Sequence, residues 1–106
     1  MSEVILRERT CQFLEEPLWG KQDVDSKICS LLEAEYLRRL SQYRHLDRVL
    51  TQKYEMIFEE FIERRVVQQK GYAWDVEQDA MDWETALGGM KTLRRKLQKL
   101  RETERV

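Results

Sequence analysis

Apolar residues along this chain recur at steps of three and four, with polar residues filling the gaps. The run Ile28, Leu32, Tyr36, Leu40, Tyr43, Leu46, Leu50 and Tyr54 keeps that spacing without a glycine or proline, which is the period of one buried face of an α-helix. Asp23 or Asp25 stands where a carboxylate caps the first turn and complements the helix dipole. If continuous from Ser26 to Tyr54, the helix spans about 44 Å at ~1.5 Å per residue. A compact globule of this length is only about 35 Å across. Part of the stripe is therefore expected to lie against another subunit or another protein.

The last third carries a second stripe: Val76, Ala80, Trp83, Leu87, Met90, Leu93, Leu97 and Leu100. It is a near-heptad seam with one three-residue slip directly after Gly88-Gly89. It predicts a helix from Asp75 to Arg105, opened by Asp75 and Gln78 as a capping box. Two glycines inside a helix cost about 2 kcal/mol relative to alanines. Packing must hold the helix there, and close approach of another backbone is the simplest compensation.

Between the stripes, FEEFIERRVVQQK predicts a third segment with Phe58, Phe61, Ile62 and Val66 inward and Gly71 ending it. Neither Gly nor Pro marks a break near Glu55-Met56-Ile57, so one helix from Ser26 to Lys70 and two separate helices are both open readings. At the front, a short helix over 1–16 sets Ile5, Leu6, Phe13 and Leu14 on one side, with Ser2 as N-cap and Pro17 as its end. Residues 17–25 read as a hinge loop, with Leu18 and Trp19 packed onto the helices. The expected fold is all-α: a single domain, 1–106, shaped as an elongated antiparallel hairpin or bundle of three to four helices with coiled-coil character.

Composition agrees with this. Charged residues make up 37% of the 106, with four glycines and one proline, a profile of long helices with solvated faces. Cys11 and Cys29 match no metal-ligand spacing and read as small buried apolar residues in a reducing compartment. The N-terminal MSEVILRERT meets charge too soon for a signal peptide, and no apolar run approaches a membrane span. A cytoplasmic location is expected, with no membrane partner.

Charge changes the picture more. Nineteen basic and 20 acidic residues leave a net charge of −1, so no global field draws in a polyanion. The last helix is nonetheless sorted by sign. Residues 71–90 hold Asp75, Glu77, Asp79, Asp82 and Glu84 and no base, while residues 91–106 hold seven bases and two acids. Laid antiparallel around Gly88-Gly89, two such helices match charge for charge, whereas parallel pairing opposes like charges. The partner helix is either that of a second subunit or the long second helix, whose Arg38, Arg39, Arg44 and Arg48 could meet the acids.

Little chemistry is on offer. His45 is the single histidine, so a nucleophile–base device would have to be built around one ring. Zinc and di-iron spacings are missing, and the acidic run lacks the glycine-containing calcium loop. No metal, cofactor or catalytic residue is expected, and the reading is non-enzymatic. The basic row Lys91, Arg94, Arg95, Lys99 and Arg101 could lie along phosphates, but no aromatic residue interleaves it to stack bases. The densest group of distinctive residues is Arg64, Arg65, Tyr72 and Trp74, which with Trp83, Leu87, Gly88, Gly89 and Met90 forms the expected partner-binding surface.

At this corner, KYEMIFEEFIERRVVQQKGYAWDVEQDAMDWETALGGMKTLRRKL, residues 53–97, resembles a group of small prokaryotic proteins, many of them cyanobacterial, associated with toxin-antitoxin-like gene pairs. That group has Gly and Ser ahead of FEEF where this chain has Glu55 and Ile57, which questions the turn between helices two and three. The resemblance implies the antitoxin-side partner of a separately encoded protein, with no catalytic residues and with contacts at Arg64, Arg65, Tyr72, Trp74 and Trp83. The function expected is thus protein–protein interaction or scaffolding, as a homodimer or hetero-complex through the helix seams. The alternative is association with nucleic acid through the basic row.

Overall fold

The computed structural model describes residues 5–16 and 23–104. The expectations for Ser2, Pro17, Leu18, Trp19 and Arg105 fall outside those residues. In chain order the elements are α1 (Glu8–Leu14), α2 (Val24–Tyr54), α3 (Phe58–Glu63), α4 (Val66–Gln69) and α5 (Trp74–Glu104), with no strand among the described residues. The fold is all-α and elongated: its extents are 56 × 31 × 28 Å and its radius of gyration is 19.8 Å, against about 13 Å for a compact domain of this length.

α2 and α5 run antiparallel along the long axis. Their register is set by pairs that climb one helix while descending the other: Glu33 with Arg101, Tyr43 with Gly89, Asp47 with Trp83 and Lys53 with Asp79. The antiparallel partner of α5 is therefore α2 of the same chain. The long stripe of α2 finds most of its cover within the chain, yet Leu32 stays 40% exposed.

The capping chemistry is legible at one end of α2 and unexpected at the other. Asp23 caps the N-terminus by accepting from the Ser26 N–H at 2.7 Å, and that bond holds its carboxyl below the ordinary carboxylate range. At the C-terminus Glu55 takes the left-handed conformation (φ 56°), and the N–H groups of Glu55 and Met56 both donate to the Thr51 carbonyl. This is the helix stop that glycine usually provides. The chain makes it without one, so the break between α2 and α3 is real although Glu55 and Ile57 replace the expected turn residues. A second left-handed residue, Arg65 (φ 52°), splits the predicted third segment into α3 and α4, and Gly71 (φ 67°) with Tyr72 (φ 57°) turns the chain into α5.

Two apolar clusters fill the hairpin. At the closed end Leu50, Phe61, Val66, Val76 and Trp83 are buried together. Tyr54, Phe58 and Phe61 ring Trp83 at centroid distances of 6.1, 5.2 and 5.3 Å. Along the shaft Leu40 packs with Met90, Leu93 and Leu97.

Several expectations are corrected. Ile62 is 52% exposed, because α3 turns Phe61 into the core and the next residue, about 100° further round the helix, faces away from it. Phe13 and Ile5 are 59% and 88% exposed, so the first helix, which starts only at Glu8, buries Leu14 alone. Asp75 does not cap α5: Ala73 accepts the N–H groups of Val76 and Glu77, and the Gln78 side chain donates forward to Asp82. Cys11 and Cys29 are half-exposed rather than buried.

Candidate partner-binding surfaces

The hairpin register decides which predicted contact residues remain available. Trp83 is fully buried, and its indole N–H donates to Asp47 Oδ1 at 2.8 Å across the helix pair. Met90 is buried and Leu87 half-buried in the same interface. Gly89 faces the Tyr43 ring so closely that a Cβ there would sit 2.4 Å from Tyr43 Cε2. Trp83, Leu87, Gly89 and Met90 thus belong to the chain's own interior, and the close approach expected at the glycine pair is that of an aromatic ring rather than a backbone. Gly88 differs: it is exposed and has nothing within 4 Å of a Cβ position.

The corner residues stay outside. Tyr72 and Trp74 are 60% and 76% exposed, raised there by the left-handed Gly71-Tyr72 turn. Arg64 is engaged locally with Glu60 of its own helix at 2.5 Å. Arg65 is exposed. Arg64, Arg65, Tyr72 and Trp74 are thus each exposed, whereas Trp83 is buried.

The expected match between arginines of α2 and acids of α5 does not form. Arg38 and Arg39 both bind Glu35 on their own helix, because acid and base three and four residues apart meet without ordering a second element. Those hydrogen bonds hold the Glu35 carboxyl down at about 2. The acids of α5 instead contribute Asp79, whose Oδ2 accepts from Lys53 Nζ and from the Tyr54 hydroxyl, each at 2.5 Å. Burial pushes the Asp79 carboxyl up, but the bonds from Lys53 and Tyr54 outweigh it and hold the carboxyl below its ordinary value. Burial and the same bond push the Tyr54 phenol well above its usual range. At the open end Arg101 bonds Glu33 at 3.1 Å.

A groove of about 580 Å³ runs between α2 and α5, with Leu37, Leu40 and Leu97 as its apolar floor and Arg44, Arg94, Gln98, Arg101 and Glu102 along its rim. Leu37 is 43% exposed in it. Among the described residues Arg44 and Arg94 make no ion pair. The basic row of α5 thus divides: Arg94 and Arg101 turn to the groove, whereas Lys91, Arg95 and Lys99, four residues apart, are exposed along α5 and absent from its lining. Sequence reasoning missed Leu37 and Arg44 as groove residues, Ala86 as a buried member of the seam and Asp47 as the acceptor for Trp83. No local signal marks them, since each depends on the register between helices more than thirty residues apart.

His45 is exposed on α2. No group of three or more His, Cys, Asp or Glu among the described residues could hold a metal ion, and no helix among them is long and apolar enough to cross a membrane. No protein-family model, curated protein or solved structure matches the chain. The fold defines an elongated all-α hairpin with an arginine-rimmed apolar groove on one side and an aromatic corner at its closed end.

Proposed function

We propose that this protein is a non-enzymatic binding protein that seats an acidic amphipathic helix of a separately encoded partner in the groove between α2 and α5. The observation that carries the reading is the pairing of Leu37, Leu40 and Leu97 with Arg44 and Arg94, an apolar floor beside two guanidinium groups that make no ion pair among the described residues. A helix with leucine-like anchors and a carboxylate at its edge satisfies both at once. The resemblance over residues 53–97 supports the same role, that of an antitoxin-like partner. Arg44→Glu/Arg94→Glu protein is expected to keep its helical content and to lose the protein that co-purifies with the wild type from its native cell. Unchanged co-purification refutes the reading.

A second reading rests on Lys91, Arg95 and Lys99, an exposed basic row without ion pairs among the described residues. It supports association with nucleic acid, which a salt-dependent gel shift abolished by reversing those three charges would establish. The acidic half of the same helix argues against it, because a phosphate backbone that follows α5 meets repulsion within three turns.

A further inference from the structure

We infer that two copies of this chain pair through the outward face of α5, antiparallel about Gly88. The inference does not rest on the groove, although Gln98 and Glu102 of its rim lie toward the C-terminal end of the same face.

Trp74, Met81, Gly88 and Arg95 follow one another at seven-residue steps and so share one face of the helix. That face turns away from α2: Trp74 and Met81 are 76% and 62% exposed, and Gly88 and Arg95 are exposed as well. A neighbouring row at the same step, Glu77, Glu84 and Lys91, is also exposed. The face therefore carries large apolar residues and acids at one end, a glycine in the middle and bases at the other.

A two-fold axis at Gly88 sets each residue against the one equally far beyond Gly88 in the second copy. Glu77 then faces the partner copy's Lys99, and Glu84 falls beside the partner copy's Lys91. Met81 lies along the aliphatic stem of the partner copy's Arg95. Every contact occurs twice, as a two-fold interface requires. Parallel pairing would set acid on acid and base on base.

The hairpin itself leaves this complementarity unused. Its cross-helix ion pairs among the described residues are Lys53 with Asp79 and Glu33 with Arg101, one near each end. It also leaves Gly88 without a reason. A glycine in a helix interior costs about 1 kcal/mol, and no described residue comes within 4 Å of a Cβ placed on this one. At the centre of an antiparallel pair its missing side chain lets the two helix backbones come together.

Sedimentation equilibrium of the full chain across a concentration series tests the pairing, with 12.9 kDa as the monomer mass. The wild type is expected to reach twice that mass. Glu84→Lys and Lys91→Glu are each expected to weaken the dimer about tenfold or more, since each places two like-charge contacts at the interface. Mixed in equal amounts, the two variants are expected to recover wild-type affinity as a heterodimer, because each supplies the charge that the other lacks. Both sites are exposed and make no ion pair among the described residues, so circular dichroism should show unchanged helix content. A monomer at all concentrations, a dimer indifferent to both substitutions, or a mixture that fails to recover would each overturn the inference.

Discussion

The two adjacent glycines of α5 should respond oppositely to the same substitution. Alanine is preferred over glycine in a helix interior by about 1 kcal/mol. Gly88→Ala adds a methyl group to open space, so the whole of that preference is available. The expected result is stabilisation by about 1 kcal/mol, or roughly 4–8 °C in Tm for a chain of this size. Gly89→Ala gains the same preference but drives its Cβ to 2.4 Å from Tyr43 Cε2 and 2.8 Å from Cδ2 and Cζ. Carbon atoms rest about 3.5–4.0 Å apart, so the ring has to move by about 1 Å or more. Tyr43 packs against the cluster of Leu40, Met90, Leu93 and Leu97, and overpacking of that kind costs about 1–3 kcal/mol. The two alanine variants should therefore differ by about 1–3 kcal/mol, with Gly89→Ala the less stable. Urea denaturation followed by circular dichroism, in protein dilute enough that association does not contribute, measures the difference. Adding Tyr43→Ala removes the obstacle, so the Tyr43→Ala/Gly89→Ala pair should be more stable than the sum of the single effects. Equal stabilisation by the two alanines, or strict additivity with Tyr43→Ala, would refute the reasoning.

That contrast also shows how far the sequence carries. The stripes of three and four residues define α2 and α5, because that spacing is a periodic property of a single helix, whereas the arginine-to-acid match expected from the sign-sorted charge is not what joins the two. What periodicity does not contain is the choice of partner. Intrachain pairing buries Trp83 and Met90, half-buries Leu87 and Gly89, and so draws all four into the hairpin rather than the expected binding surface. The same register, through Asp47 with Trp83 and Tyr43 with Gly89, brings Arg44 to Arg94 and creates the groove. Local competition explains the other departures: Glu35 lies within one turn of Arg38 and Arg39 and takes them before any acid of α5 can. The breaks at Glu55 and Arg65 were hidden because side chains that ordinarily disfavour the left-handed conformation occupy it there.

The remaining predictions concern the ends of the hairpin's closed cluster. Asp79 is held below its ordinary value in the folded chain, so its contribution is fully present above the unfolded carboxylate pKa of about 4 and is lost as the pH falls through the lower folded value. Thermal unfolding at stepped acid pH should show a loss of stability in that window, and Asp79→Asn should be less stable at neutral pH yet flatten that loss; an unchanged acid limb would sink the assignment. Glu55 offers the other test. Its left-handed backbone costs an ordinary residue about 1 kcal/mol or more, while glycine adopts the same conformation without a Cβ penalty. The side chain is exposed and makes no ion pair among the described residues, so its removal alone should matter little. Glu55→Gly should stabilise the protein by about 1 kcal/mol, whereas Glu55→Ala, which removes the carboxylate but keeps the Cβ, should give no gain. The comparison separates backbone from side chain. If the stop of α2 depended on the glutamate itself, both substitutions would destabilise, and a continuous helix through Met56 would be favoured by alanine instead. A gain confined to glycine is the outcome that only a left-handed stop at residue 55 produces.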